Sequence, residues 1–71
     1  MKKVNIYEYR DNKRLLCDRQ MYKNKIIILQ NERINLDFFE DHERIEHINI
    51  LITDCFRSIV KIDDVLLNRY V

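Results

Sequence analysis

Seventy-one residues pass without a single glycine or proline, and that absence constrains the backbone more than any motif the chain contains. A typical domain is about 7% Gly and about 5% Pro. Without glycine, any turn that needs positive φ must be made by Asn or Asp, the other residues that tolerate it best. Ala and Trp are missing as well. All four absent types have GC-rich codons, whereas Ile, Asn, Lys, Asp and Tyr, with AT-rich codons, supply about half of the chain. The composition points to an AT-rich genome, such as that of a virus, phage, plasmid or low-GC bacterium. It also removes the chemistry that depends on glycine loops: the Walker phosphate loop, the dinucleotide fingerprint and the nucleophile elbow.

The length fits one small domain, residues 1–71. So short a chain buries only about 60% of the surface its unfolded form exposes, and small proteins compensate with disulfides, a metal or a partner subunit. Two cysteines, Cys17 and Cys55, allow one bridge at most. No apolar secretory run follows Met1-Lys2-Lys3, so the expectation is a pair of reduced thiols in a cytoplasmic protein, that of the host cell if the source is viral. No stretch approaches the roughly 18 apolar residues of a transmembrane helix. A homodimer or larger assembly is the expected supplement to the thin core.

Alternation divides the first forty residues into strands. Val4 and Ile6 alternate with polar neighbours; Leu15, Cys17 and Met21 share one parity, interrupted by Arg19. Ile26-Ile27-Ile28-Leu29 is apolar on both sides, as a central strand would be. Ile34, Leu36 and Phe38 alternate with Asn35 and Asp37. Asp11-Asn12, Asn24 and Asn31 stand where glycine-free hairpins would turn. From Phe38 the period changes: Phe38, Ile45, Ile52, Ile59 and Leu66 recur every seven residues, with Ile48, Cys55 and Ile62 three positions later. That spacing predicts amphipathic helix from about residue 40, with breaks at Thr53-Asp54 or Asp63-Asp64 and a final strand over 65–71 as options. The expected fold is therefore α+β, an antiparallel three- to four-stranded sheet over about 3–39 covered by a C-terminal helical region. The runner-up is a βαββαβ order in which 11–23 is a helix capped by Asp11, with Leu15, Arg19 and Tyr22 on one face. The seven-residue stripe is either the helix face lying on its own sheet or an oligomer seam.

Catalysis finds little support. One Ser (Ser58), one Thr (Thr53) and two His give no nucleophile–base–orienter set by spacing. In Asp41-His42-Glu43-Arg44-Ile45-Glu46-His47 the second His falls one residue late for a zincin helix, about 140° out of line. A solvated first turn with pairs such as Glu40–Arg44 explains the segment better, and no metal or other cofactor is expected. Adjacent Asp63 and Asp64 suit a cap or turn rather than acid–base work.

Charge is segregated. Residues 1–25 hold eight basic and three acidic side chains, a net +5, and residues 26–71 hold five and nine, a net −4. A nucleic-acid surface would draw on Lys3, Tyr7, Tyr9, Arg10, Lys13, Arg14, Lys23 and Lys25, with the tyrosines stacking on bases. Neutralisation of these cations by Asp41, Glu43 and Glu46 would point instead to a protein partner. Segments 25–33 and 47–55 resemble the two conserved strands of Sm-like RNA-binding proteins. That resemblance covers about a third of the chain and lacks the family's glycines, with two residues inserted between the segments. It implies a uridine pocket using Asn49 and Arg69.

The expected function is that of a non-enzymatic protein-binding module, an accessory or inhibitor protein of a virus, phage or mobile element. It would act by sterically occupying a host protein. The alternative is a nucleic-acid-binding regulator using the basic hairpins. No membrane association is expected.

Overall fold

The computed structural model describes residues 5–70, and among them there is no strand. A short 3₁₀ turn, Ile6–Tyr9, precedes two long antiparallel helices, α1 (Asn12–Ile34) and α2 (His42–Tyr70). The expected α+β sheet is overturned, and with it the βαββαβ order. All four proposed strands fall elsewhere. Ile6 is in the 3₁₀ turn, Leu15 to Leu29 lie in α1, and Ile34 to Phe38 cover the end of α1 and the connection. Val4 and Lys3 lie outside the described residues.

A chain without proline has no residue that must end a helix, and one without glycine has few places to reverse. Two long helices and one reversal answer both conditions. Asp11 caps α1 by accepting the Arg14 N–H at 2.7 Å, the position the runner-up gave it. The reversal spans 35–41 and uses no positive φ; none occurs among the described residues. The expected left-handed Asn and Asp turns are thereby corrected: Asn12, Asn24 and Asn31 are helical, and Asn35 closes α1 in the right-handed region, φ −86° and ψ −1°.

Two aspartates build the turn instead. The Asp37 carboxylate accepts the N–H groups of Phe39 and Glu40, both at 2.9 Å. Those bonds hold its carboxyl below the usual range. The Asp37 N–H in turn donates to the Asp41 carboxylate at 2.9 Å. The Asp41 carbonyl then accepts the first α2 bond from Ile45.

α2 runs unbroken through Thr53-Asp54 and Asp63-Asp64 to Tyr70, so neither predicted break nor the final strand is present. The seven Ile or Val residues between 45 and 62 carry a propensity cost that core burial overrides. Ile48, Ile52, Cys55, Ile59, Ile62 and Val65 are buried along one line, spaced three or four apart as a helix face requires. Of the seven-residue stripe, Ile52 and Ile59 are buried, Ile45 and Leu66 half-buried, and Phe38 exposed in the connection, edge-on to Phe39. The stripe packs on α1 rather than on a sheet.

Opposite it, α1 contributes Leu15 and Ile26, with Tyr22 and Leu29 half-buried between and above them. Asp18 occupies the same line and is buried, its charge met by Arg10 and by Arg14 at 3.5 Å. Tyr22 joins two core clusters. One is Ile26 with Ile48, Ile52, Cys55 and Ile59; the other is Leu15 with Tyr7, Ile62 and Val65.

Candidate protein-binding groove

The segment before α1 folds back onto one broad face of the hairpin. Tyr7 is the residue that seats it: only 5% of its surface stays exposed, and it packs against Leu15, Ile62 and Val65. Its hydroxyl lies 3.1 Å from that of Tyr22. Burial, then the bond to Tyr22, raises the Tyr7 phenol above its ordinary value of 10.0, against a smaller lowering from Ser58 and Arg10. The Arg10 guanidinium sits 5.2 Å from the Tyr7 ring centre. Asn5 caps the turn through the Tyr7 N–H at 3.1 Å and donates to the Lys61 carbonyl at 3.0 Å. Arg69 binds the segment from below, donating to the carbonyls of Glu8 at 2.9 Å and Arg10 at 2.7 Å and to Asn12 at 2.6 Å.

Beyond Tyr7 the furrow between the helices continues uncovered. The open part is a groove of about 450 Å³, lined by Tyr22, Lys25, Ile28 and Leu29 from α1 and by Leu51, Asp54, Cys55 and Ser58 from α2. Its interior is apolar, the Tyr22 and Ser58 hydroxyls mark the end nearest Tyr7, and Lys25 and Asp54 give its two sides opposite charge. From Tyr22 to Leu29 it is about 10 Å long, two helical turns.

The groove holds the Tyr22 and Ser58 hydroxyls and the Cys55 thiol, and no imidazole is among its lining residues, His47 standing one helical turn beyond Leu51. His47 lies eleven residues from Ser58 on the same helix, about 16 Å along the axis, and His42 is further still. Cys55 is buried at the groove and Cys17 exposed; both are free thiols. Asp63 is no turn residue: it sits inside α2 and receives Arg19 at 2.6 Å. Arg44 pairs with Glu32 of α1, 2.9 Å from Nε, rather than with Glu40.

The residues expected to form a nucleic-acid surface do not come together. Tyr7 is buried while Tyr9 is 82% exposed, so they share no stacking face. Arg10 and Arg14 converge on Asp18. Lys13, Lys23 and Lys25 are exposed on α1, but Lys23 and Lys25 stand about 200° apart around it. Asp18 meets Arg10 and Arg14, and Asp63 meets Arg19, which the expected surface did not include; Lys13, Lys23 and Lys25, like Asp41, Glu43 and Glu46, take no part among the described ion pairs. Both segments that resemble Sm-like strands are helical. Asn49 accepts from Arg33 at 2.6 Å. Arg69 is twenty residues further along the same helix, about 30 Å away, so no shared pocket exists.

Sequence reasoning missed the groove because Ile28 and Leu29 of its α1 wall sit in the run assigned to a central strand, with Lys25 just before it. Helical spacing of Tyr22, Ile26 and Leu29 was the available signal. The chain matches no protein-family model, and no curated protein or solved structure is significantly similar to it.

Proposed function

We propose that this chain is a non-enzymatic protein-binding module that receives an amphipathic helix of a partner protein in the groove beside Tyr22. One observation carries the reading: the chain already seats a helical turn of its own, anchored by Tyr7, on the furrow beside the open groove. The occupied part is a template for the open part. A partner helix with an aromatic or aliphatic anchor would complete a three-helix arrangement, the helix-in-groove mode of recognition. Lys25 and Asp54 would fix its direction by favouring an acidic residue on one side and a basic one on the other. Such a module works by occupancy, as an accessory or inhibitor protein of a virus, phage or mobile element would in the cytoplasm of its host. No helix among the described residues is long and apolar enough to cross a membrane.

The test is selection from a displayed library of amphipathic helical peptides about three turns long. The expected result is a family of binders with an apolar anchor whose affinity falls at least tenfold on Ile28→Glu, with helicity unchanged. Lys25→Glu should shift the selection from acidic to basic flanking residues. Binders indifferent to Ile28→Glu, or none at all, would overturn the groove. Salt-sensitive binding of labelled DNA or RNA, lost on Lys13→Glu with Arg14→Glu, would move the function to nucleic acid.

A further inference from the structure

The opposite broad face of the hairpin is also apolar, and nothing among the described residues covers it. Taking about 100° per residue from the core lines through Leu15 and Ile26 on α1 and Ile48 and Ile59 on α2, Leu16, Ile27 and Ile34 fall on one flank of α1. Phe56, Val60 and Leu67 fall on the corresponding flank of α2. In an antiparallel pair these flanks share one face. The Arg19–Asp63 pair and the Arg33–Asn49 hydrogen bond cross that same face, whereas the groove and Tyr7 lie on the other. Each of the six apolar residues is at least half exposed.

From this face we infer that two copies of the chain pair through it to form an antiparallel four-helix bundle. The dimensions support a second copy as the occupant. The molecule measures 47 × 28 × 16 Å, so its thickness is little more than one helix of about 10–12 Å. Its radius of gyration is 15.2 Å, against about 11 Å for a compact chain of this length. Its accessible surface is 5989 Å², while a compact monomer of its mass would expose about 4,800 Å². The excess, about 1,200 Å² per chain, is spread over both broad faces and exceeds the roughly 800 Å² that a standard interface buries on each partner.

Charge selects the arrangement. α1 holds six basic residues against Asp18 and Glu32, a net +4; α2 holds four basic against five acidic, a net −1. A two-fold axis parallel to the helices lays α1 of one copy on α2 of the other. It keeps the two basic helices apart and leaves every adjacent pair antiparallel, the packing of up-and-down bundles. The two grooves then face outward, one on each side of the dimer.

Sedimentation equilibrium on the full chain tests the pairing. The expected mass is twice 8.8 kDa, falling to the single-chain value for Phe56→Glu with Val60→Glu. Helicity should be retained in that variant, because both side chains are outside the hairpin core. A wild-type chain that stays at 8.8 kDa up to millimolar concentration would overturn the inference. So would a dimer that survives the double substitution but is lost on Ile28→Glu, because that dimer would use the groove face. In a Cys17→Ser background, rapid disulfide formation between two Lys23→Cys copies would put α1 on α1 and refute the proposed axis. The groove reading stands or falls separately, since Ile28 and Lys25 lie on the other face.

Discussion

Replacing Tyr7 with Ala removes the one side chain that fastens the N-terminal segment to both helices. A buried aromatic cut to Ala costs about 3–5 kcal/mol. The low end, about 3 kcal/mol, applies here, because one wall of the site is a single 3₁₀ turn that can settle toward the gap. The hydroxyl bond to Tyr22 contributes about 1 kcal/mol of the loss, and the Arg10 cation over the ring about 0.5–1 kcal/mol. A chain of this length has about 4–10 kcal/mol of total stability, so the substitution removes a large share of it. With a urea slope near 1 kcal/mol/M for so small a protein, the midpoint should fall by about 3 M. The assay is urea unfolding followed by far-UV circular dichroism at one fixed protein concentration, because dimerisation would make the midpoint concentration-dependent. Tyr7→Phe keeps the ring and should lose only about 1 kcal/mol. The reasoning fails if Tyr7→Ala unfolds within about 0.5 M of wild type, or if Tyr7→Phe proves as damaging as Tyr7→Ala.

Two further outcomes follow from neighbouring features. Leu15 is fully buried and Leu16 is 56% exposed, so Leu15→Ala should cost about 2–5 kcal/mol and Leu16→Ala less than about 1 kcal/mol toward hairpin folding; equal losses would contradict the helical register of α1. Because the Tyr7 phenol is raised above 10.0 in the fold, its neutral form is the one the folded state holds. Its contribution is therefore complete below the unfolded phenol's range and is lost as pH climbs through the folded value. Ultraviolet titration should show a late-ionising tyrosine that becomes ordinary in urea, and stability that declines above pH 10 should do so less steeply in Tyr7→Phe.

How far the sequence discloses this fold differs sharply between its halves. In α2, the rows Ile45, Ile52, Ile59, Leu66 and Ile48, Cys55, Ile62 hold most of the buried line, and period alone finds the helix. In α1 the corresponding line is Leu15, Asp18, Tyr22, Ile26, Leu29, and a carboxylate stands where periodicity looks for an apolar residue. Arg10 and Arg14 make Asp18 tolerable there, but only the folded arrangement reveals it. The reversal is hidden for a related reason. Asp37 and Asp41 build it through side-chain bonds, inside the stretch whose alternation looks most like a strand.

The remaining obstacle to reading α1 is itself informative. Leu16, Met21, Ile27, Ile28 and Ile34 are apolar and exposed on flanks that a helix of an isolated hairpin would make polar. Ile26-Ile27-Ile28-Leu29 seemed a central strand because it is apolar on both sides. It is a helix with apolar residues on both sides: Ile26 faces α2, Ile28 lines the groove, and Ile27 lies on the opposite broad face. A helix so patterned suits contact with more than one neighbour. The intramolecular fold supplies one, α2, and a partial second, the turn carrying Tyr7. The groove and the opposite face are the sides left without one, so the residues that blur the helical period also mark where partners are expected.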